Sequence, residues 1–316
     1  MTDTITCCAG IDVSKDRLDI ALYPAGHHLS VDYTKEGLAS LDRFVAEHEV
    51  ARIGFEASGG YEWRLLVHLR KGKVAAARFQ PGQIKAFGKS RLQRAKNDRL
   101  DALLIAQFTA SLRELPALPD AKLDGLASHL TYIEQIEDRT ATLKTMLEAS
   151  RDTRIRRAQM ADIARLEARR SAELALLVKT IGSDAALARK LELIVSIKGI
   201  GERSALALLV RMPEIGELTR EQAAALAGVA PYDNDSGSRN GRRCVAGGRQ
   251  RLRKSLFMAA FCATRWNKDL RQTYLHLIHR GKHHLTAVIA VARKLVILAN
   301  AVVARNTPWT ECKAET

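Results

Sequence analysis

The sequence predicts an N-terminal α/β domain, then a long helical arm, then a mainly α-helical C-terminal domain. Three observations predict this order. Three strand-like segments followed by alternating helix-like and strand-like segments occupy residues 5–79, the pattern of a mixed α/β sheet. From Leu126 to Ile181 the chain has no glycine or proline and is rich in Ala, Leu, Glu, Arg and Lys, which is helical composition. Beyond Gly182 the apolar residues again recur at helical spacing.

Each element has local causes. Ile5 to Val13 is mostly apolar and carries Asp12 near its end. Arg17 to Tyr23 alternates Leu18, Ile20 and Leu22, and Pro24-Ala25-Gly26 turns the chain into a third strand, His28 to Tyr33. Leu38, Leu41, Phe44 and Val45 give Glu36 to His48 a helical stripe. Ala51 to Phe55 reads as a strand that runs into Glu56 and then Ser58-Gly59-Gly60. Tyr61 to Lys71 reads as a helix and Val74 to Phe79 as a strand. The next helix starts near Asn97, with Asn97 or Asp98 as cap and Leu100, Leu103, Leu104 and Phe108 on its faces. Leu115-Pro116-Ala117-Leu118-Pro119 reads as a linker, so the first domain is placed at 1–119.

In the arm, placed at 120–190, Ile133, Ile136, Thr140, Leu143 and Leu147 follow 3-4-3-4 spacing, and Leu174, Leu177 and Ile181 resume it. The basic stretch Arg151 to Arg157 lacks the stripe. This is a long helical arm or helical hairpin with coiled-coil character. A dimerising arm is the favoured reading, and packing within one chain is the other. The C-terminal domain, 191–316, holds Gly199-Ile200-Gly201, an arginine- and glycine-rich run from Ser236 to Lys254, and two apolar helices, Leu252 to Trp266 and Leu285 to Ala304.

Fifty lysines and arginines against 35 acids give a net charge of +15, which favours a polyanionic partner. Five cysteines form no disulfide framework, and MTDTIT has no signal pattern, so a reducing cytoplasm is expected. Arg293 and Lys294 interrupt the most apolar stretch, which argues against a membrane span. Aromatic residues make up 5%, too few for a broad base-stacking surface, and Trp63 and Trp266 read as core. His276, His279, His283 and His284 lack a cysteine or carboxylate to complete a metal set.

The acidic residues have a telling order. Asp12 and Glu56 each end a strand, and Asp98 and Asp101 share one side of a helix. Strand ends and a covering helix can converge, and four converging carboxylates repel unless a divalent cation neutralises them. Mg²⁺, a hard cation, takes such oxygen ligands and serves phosphodiester chemistry. Arg91, Arg94, Lys96 and Arg99 lie beside the acids, either to hold a phosphate backbone or as a solvated face.

With these residues in order, the chain resembles the insertion-sequence transposases with a DEDD tetrad, relatives of pilin-gene invertases, some of which are guided by a bridge RNA. The resemblance is carried by Gly10-Ile11-Asp12-Val13-Ser14-Lys15, Glu56-Ala57-Ser58-Gly59 and Lys96-Asn97-Asp98-Arg99-Leu100-Asp101-Ala102. It continues through Ile197-Lys198-Gly199-Ile200-Gly201, Leu226-Ala227-Gly228-Val229-Ala230-Pro231, Ser236-Gly237-Ser238 and Leu252-Arg253-Lys254-Ser255-Leu256. It implies a RuvC-like (RNase H-like) N-terminal domain, a coiled-coil arm and a C-terminal transposase domain. It implies Asp12, Glu56, Asp98 and Asp101 as Mg²⁺ ligands and Ser236, with Ser238 its close neighbour, as a nucleophile that joins covalently to DNA. It also implies a homo-oligomer up to a tetramer, DNA as substrate and a guide RNA as partner. The alternative is a RuvC-like structure-selective nuclease that hydrolyses DNA with water, and a third reading is a non-enzymatic nucleic-acid scaffold.

Around Ser236, Gly237 lets a phosphate approach, and Arg239, Arg242 and Arg243 are placed to stabilise its charge. Lys198, Gly199 and Gly201 read either as the turn of a helix-hairpin-helix, which takes a phosphate on backbone N–H groups, or as a tight turn between packed helices. Arg249, Arg251, Arg253 and Lys254 crowd one helix start, with phosphate contact expected and a solvated face the bland reading.

Overall fold

The computed structural model describes residues 6–92, 98–232 and 244–311, with only the backbone of Asp98. The chain divides into two compact units, residues 1–121 and 122–316.

In the first unit, among the described residues, five strands form one sheet: β1 (Cys8–Val13), β2 (Arg17–Tyr23), β3 (His28–Asp32), β4 (Arg52–Glu56) and β5 (Ala75–Phe79). Their order is β3-β2-β1-β4-β5. The first three form an antiparallel meander, and β4 and β5 add in parallel. This is the mixed sheet the sequence predicts. Helix α1 (Lys35–Glu47), capped by the Thr34 hydroxyl on the Gly37 N–H, crosses from β3 to β4. Its Leu38, Leu41 and Val45 join Ile11, Leu18, Ile20, Ile53 and Phe55 in one core. Helix α2 (Trp63–Leu69) links β4 to β5.

Helix α3 (Pro81–Ser90) is an element the sequence reading passed over. Its signals are present in hindsight: Pro81 at the first turn, and Gln83, whose Oε1 accepts from the Gln80 N–H. Helix α4 (Asp98–Ser111) packs across β1, β2 and β4.

Two strand glycines allow α4 to lie where it does. A Cβ on Gly10 would stand 2.2 Å from both Ala102 O and Ala106 N, so the helix backbone rests directly on β1. A Cβ on Gly54 would stand 2.0 Å from Thr109 Oγ1. Arg52 closes the far end, its Nη1 donating to Leu112 O at 2.7 Å and its Nη2 to Arg113 O at 3.2 Å. Gly10→Ala therefore drives the helix off the sheet. Overpacking of this kind costs about 1–3 kcal/mol, and a fall in Tm of about 10 °C is expected on thermal unfolding. An unchanged Tm would refute the close approach.

The second unit is helical. Helices α5 (Ala121–Ala149) and α6 (Thr153–Gly182) form an antiparallel hairpin, with Asp152 capping α6. His129–Glu173, Glu137–Arg170 and Lys144–Glu167 pair across it. Leu126, Leu130, Ile133, Leu177 and Ile181, at the end distant from the connection, belong to the core of the unit. Toward residues 150–152 the hairpin is exposed, with Met146 and Met160 on its surface. The hairpin alternative is thus the one observed.

Helices α7 (Ala185–Val195), α8 (Glu202–Arg211), α9 (Arg220–Leu226), α10 (Gln250–Trp266), α11 (Lys268–His279) and α12 (His284–Arg305) complete the unit. Helix α12 is long and apolar enough to cross a membrane. Its Val288, Val291, Leu295, Val296 and Ala299 are buried in the unit's own core. A two-residue ribbon, β6 (Pro231–Tyr232) with β7 (Cys244–Val245), pairs Tyr232 with Cys244 and so brings the flanks of segment 233–243 side by side.

Candidate active site and nucleic-acid-facing residues

Strand register places the first two acids. Gly10 of β1 lies opposite Gly54 of β4, and Ile11 opposite Phe55. One residue further along these parallel strands, Asp12 and Glu56 become neighbours, about 5 Å apart between strand axes. Side chains alternate across a strand, so Asp12 shares the face of Gly10 and Glu56 that of Gly54. Both glycines meet α4, so both acids lie on the α4 side of the sheet. Asp101 precedes Ala102, whose carbonyl lies over Gly10, and Asp98 stands one turn earlier. Asp12, Glu56 and Asp101 are each half-buried. Among the described residues, no three His, Cys, Asp or Glu side chains stand close enough to hold a metal ion. The side chain of Asp98 lies outside that set.

The turn after Glu56 is held by a residue the sequence reading missed. The buried Glu62 carboxylate accepts from Ser58 N at 3.1 Å, Ser58 Oγ at 3.3 Å and Gly60 N at 2.8 Å. Ala57 N donates to Phe79 O at 3.0 Å. The available signal was a glutamate six residues beyond Glu56, across a Gly-Gly turn in which Gly59 and Gly60 both have positive φ.

Arg91 is exposed, stacks on Phe87 and donates to Gln107 Oε1 at 2.9 Å. Arg99 is exposed. Arg94 and Lys96 lie outside the described residues, as do Ser236, Ser238, Arg239, Arg242 and Arg243.

At the basic start of α10 the cations are engaged by groups distant in sequence. Arg249 grips the Glu214 carboxylate with both terminal nitrogens, at 2.8 and 2.6 Å, and donates to Arg211 O. Arg251 pairs with Glu134 at 2.7 Å and Lys254 with Asp138 at 3.0 Å. Arg253 donates to the carbonyls of Gly228 and Gly247. These charges hold the unit together, because their carboxylate partners lie far off in sequence. Lys198 pairs with Glu311 at 3.1 Å. Gly199, at φ +104°, lies so close to Ala263 that a Cβ would stand 2.4 Å from its Cβ.

Two tryptophans read as core are on the surface. Trp63 is 47% exposed and Trp266 is 72% exposed. Helical spacing marks a side of α10, and Trp266, at its last residue, turns out of the core that Ala259, Ala260 and Ala263 fill.

Comparison with known proteins matches this architecture in both units. Residues 9–150 match the family model of IS110-type DEDD transposases, and residues 191–275 match that of the Transposase IS116/IS110/IS902 family. The chain belongs to the IS110 family of transposases. It is an enzyme of the DNA transposase class. The pilin gene-inverting proteins of Moraxella bovis and Moraxella lacunata are each 26% identical over 323 aligned residues, covering 95% of this chain and 96% of theirs. An insertion element IS110 protein of Streptomyces coelicolor is 31% identical over 114 residues, covering 35% of this chain and 28% of that protein. Among solved structures, T. thermophilus RuvC in complex with Holliday junction substrate aligns at 13% identity and TM-score 0.27, over 33% of this chain and 91% of that one. For the IS110-family chain, the Asp12, Glu56, Asp98 and Asp101 positions all fall within the span of the DEDD match.

Proposed function

We propose that this IS110-family transposase cuts and rejoins DNA strands with an RNase H-like carboxylate centre on its first unit and Ser236 on its second. The observation that carries the reading is the docking of α4 on Gly10 and Gly54. It brings the helix that bears Asp98 and Asp101 over the strands that end in Asp12 and Glu56. The four acids supply hard oxygen donors, which suits Mg²⁺. A divalent cation bound by them would polarise a phosphodiester and stabilise charge developing on its oxygens.

Ser236 is the proposed nucleophile. Its hydroxyl gives up a proton and its oxygen bonds to a DNA phosphorus, while the departing strand leaves as a hydroxyl end that takes a proton. A hydroxyl end of another strand then attacks the same phosphorus and releases the serine. One phosphodiester is exchanged for another, so no external energy source is required. Arg239, Arg242 and Arg243 would hold the phosphate, with Arg91, Arg94, Lys96 and Arg99 beside the acids and Lys198, Gly199 and Gly201 at a helix-hairpin-helix-like turn. Target choice by a bridge RNA, and a dimer or tetramer built through the 120–190 arm, are supported by the family resemblance in the ordered motifs. The first unit is read as the DEDD catalytic domain and residues 191–316 as the serine transposase domain.

Ser236→Ala is the test. The variant is expected to lose strand rejoining and any protein–DNA adduct that survives denaturing electrophoresis. A hydrolytic nuclease would keep its cleavage. Retention of full strand exchange by Ser236→Ala would remove the serine from the mechanism.

A further inference from the structure

The outer face of α10 and the turn between α7 and α8 line an open cavity of about 410 Å³. Gly199, Ile200, Gly201 and Arg203 form one side, and Met258, Cys262 and Trp266 the other. Met258 and Trp266 are large apolar side chains exposed at this mouth. The geometry is fixed rather than incidental. Asn267, next to Trp266, is buried, and its Nδ2 donates to Lys198 O at 3.0 Å while its Oδ1 caps α11. The α10 end is thereby tied to the turn it faces.

Two further features belong to the cavity wall. Gly201 has an ordinary φ of −79°, and a Cβ there would meet nothing within 4 Å. Gly201 is the N-cap of α8, a position that glycine favours. What its missing side chain does is leave the cavity open and its backbone approachable. Arg203 Nη1 is buried with no hydrogen-bond partner, although the rest of the guanidinium pairs with Glu134 and Glu137.

The surroundings select the class of ligand. From residue 265 to 294 the chain has seven lysines and arginines against one acid, Asp269. Arg265, Lys268 and Arg271 follow directly from the cavity, and none pairs with a carboxylate among the described residues. An exposed indole beside the cations Arg265, Lys268 and Arg271 is a pairing that suits single strands, base on ring and phosphates on cations.

We propose that this cavity takes one unpaired base of a DNA strand, stacked on Trp266, with the flanking phosphates running along the start of α11. Bases inside a duplex are stacked on one another and cannot reach an indole face. Strand exchange unpairs DNA, and this pocket would hold a strand in that state. The inference rests on the reading of the chain as a DNA strand-exchange enzyme. Binding is nevertheless scored without divalent metal and without cleavage, so its failure leaves the carboxylate centre and Ser236 untouched.

The experiment measures binding of fluorescent oligothymidylate, oligouridylate and a DNA duplex to the full-length protein and to two variants, Trp266→Ala and Gly201→Leu. Neither change touches the core, and circular dichroism checks that each folds. Loss of one stacked base typically weakens single-strand binding about 5- to 100-fold. That loss is expected for Trp266→Ala with oligothymidylate, with duplex binding little changed, and Trp266→Phe should restore most of it. Gly201→Leu should reproduce the loss by filling the mouth. Oligothymidylate should also slow alkylation of Cys262, read by peptide mass spectrometry against the exposed Cys244. Wild-type affinity in both variants, equal loss for duplex and single strand in Trp266→Ala, or unprotected Cys262 would overturn the proposal. Tighter, equally sensitive binding of oligouridylate would overturn DNA as the occupant. A change in oligomer size with unchanged DNA binding would do the same by assigning the surface to a protein.

Discussion

Asp12→Asn is expected to lower DNA strand cleavage by about a thousandfold or more while leaving the fold intact. The residue lies near the end of β1, beside Glu56 on the sheet face covered by α4. Asparagine keeps the size and one acceptor oxygen but removes the negative charge that attracts a divalent cation. Charge stabilisation by such an ion is worth several kcal/mol in a transition state, and each 1.36 kcal/mol is a factor of ten in rate. The same substitution at Asp101 should act alike, because Ala102, its neighbour, lies on Gly10. Cleavage of a labelled substrate over a Mg²⁺ titration is the measurement, with thermal unfolding as the control. If Asp12→Asn keeps wild-type cleavage at every Mg²⁺ concentration, the centre lies elsewhere. A loss of cleavage with a matching loss of Tm would point to folding instead.

The sheet was legible because its strands are short apolar runs bounded by turns. Leu18, Ile20 and Leu22 in alternation, and the Pro24-Gly26 turn, bound β2 at the residues the structure gives it. The order of the acids was legible too, since strand ends and helix caps are marked in sequence. What brings the acids together was not. Gly10 and Gly54 matter for the side chains they lack, and no periodicity flags a missing Cβ that a distant helix backbone requires.

The misread residues share a different cause. A run of arginines looks the same in sequence whether its carboxylates are nearby or 110 residues away. Arg251 and Lys254 are neutralised by Glu134 and Asp138, which are 117 and 116 positions distant. Charge patterning within a window could not reveal this. Lys268 and Arg271 on α11, by contrast, have only one acid, Asp269, close in sequence. Trp266 was misplaced because an aromatic at a helix end has no fixed side of the stripe. Among the α10 residues, Leu252, Leu256, Ala259 and Ala260 form the buried face.

The second large effect concerns the acid on which that rearrangement turns. Glu134 of α5 receives Arg211 at 2.7 Å, Arg251 at 2.7 Å and Arg203 at 3.4 Å, so one carboxylate joins three helices. Glu134 and Arg211 are each only 14% exposed at the side chain. Attraction at that depth is weakly screened by salt, and removing one partner leaves charge buried without compensation. Glu134→Gln is therefore expected to cost about 3 kcal/mol. For a unit of this size that is a fall in Tm of about 10 °C. Pairing Glu134→Gln with Arg211→Met should recover part of the loss, since the double variant no longer strands the most buried of the three guanidiniums. Additive losses would show that the two residues act separately. Acid should imitate the substitution at neighbouring pairs. Burial alone would raise the Glu137 carboxyl, but Arg203 and Arg170 hold it below its ordinary range, and hydrogen bonding to Arg249 does the same for Glu214. A depressed carboxyl stabilises the folded state above its unfolded pKa, near 4.3, and loses that contribution as pH falls through the lower folded value. Thermal unfolding of the wild type should thus stay level from neutral pH down to about 5 and drop steeply below 4. The Glu134→Gln variant should start lower and still drop below pH 4, because Glu137 and Glu214 keep their partners in it.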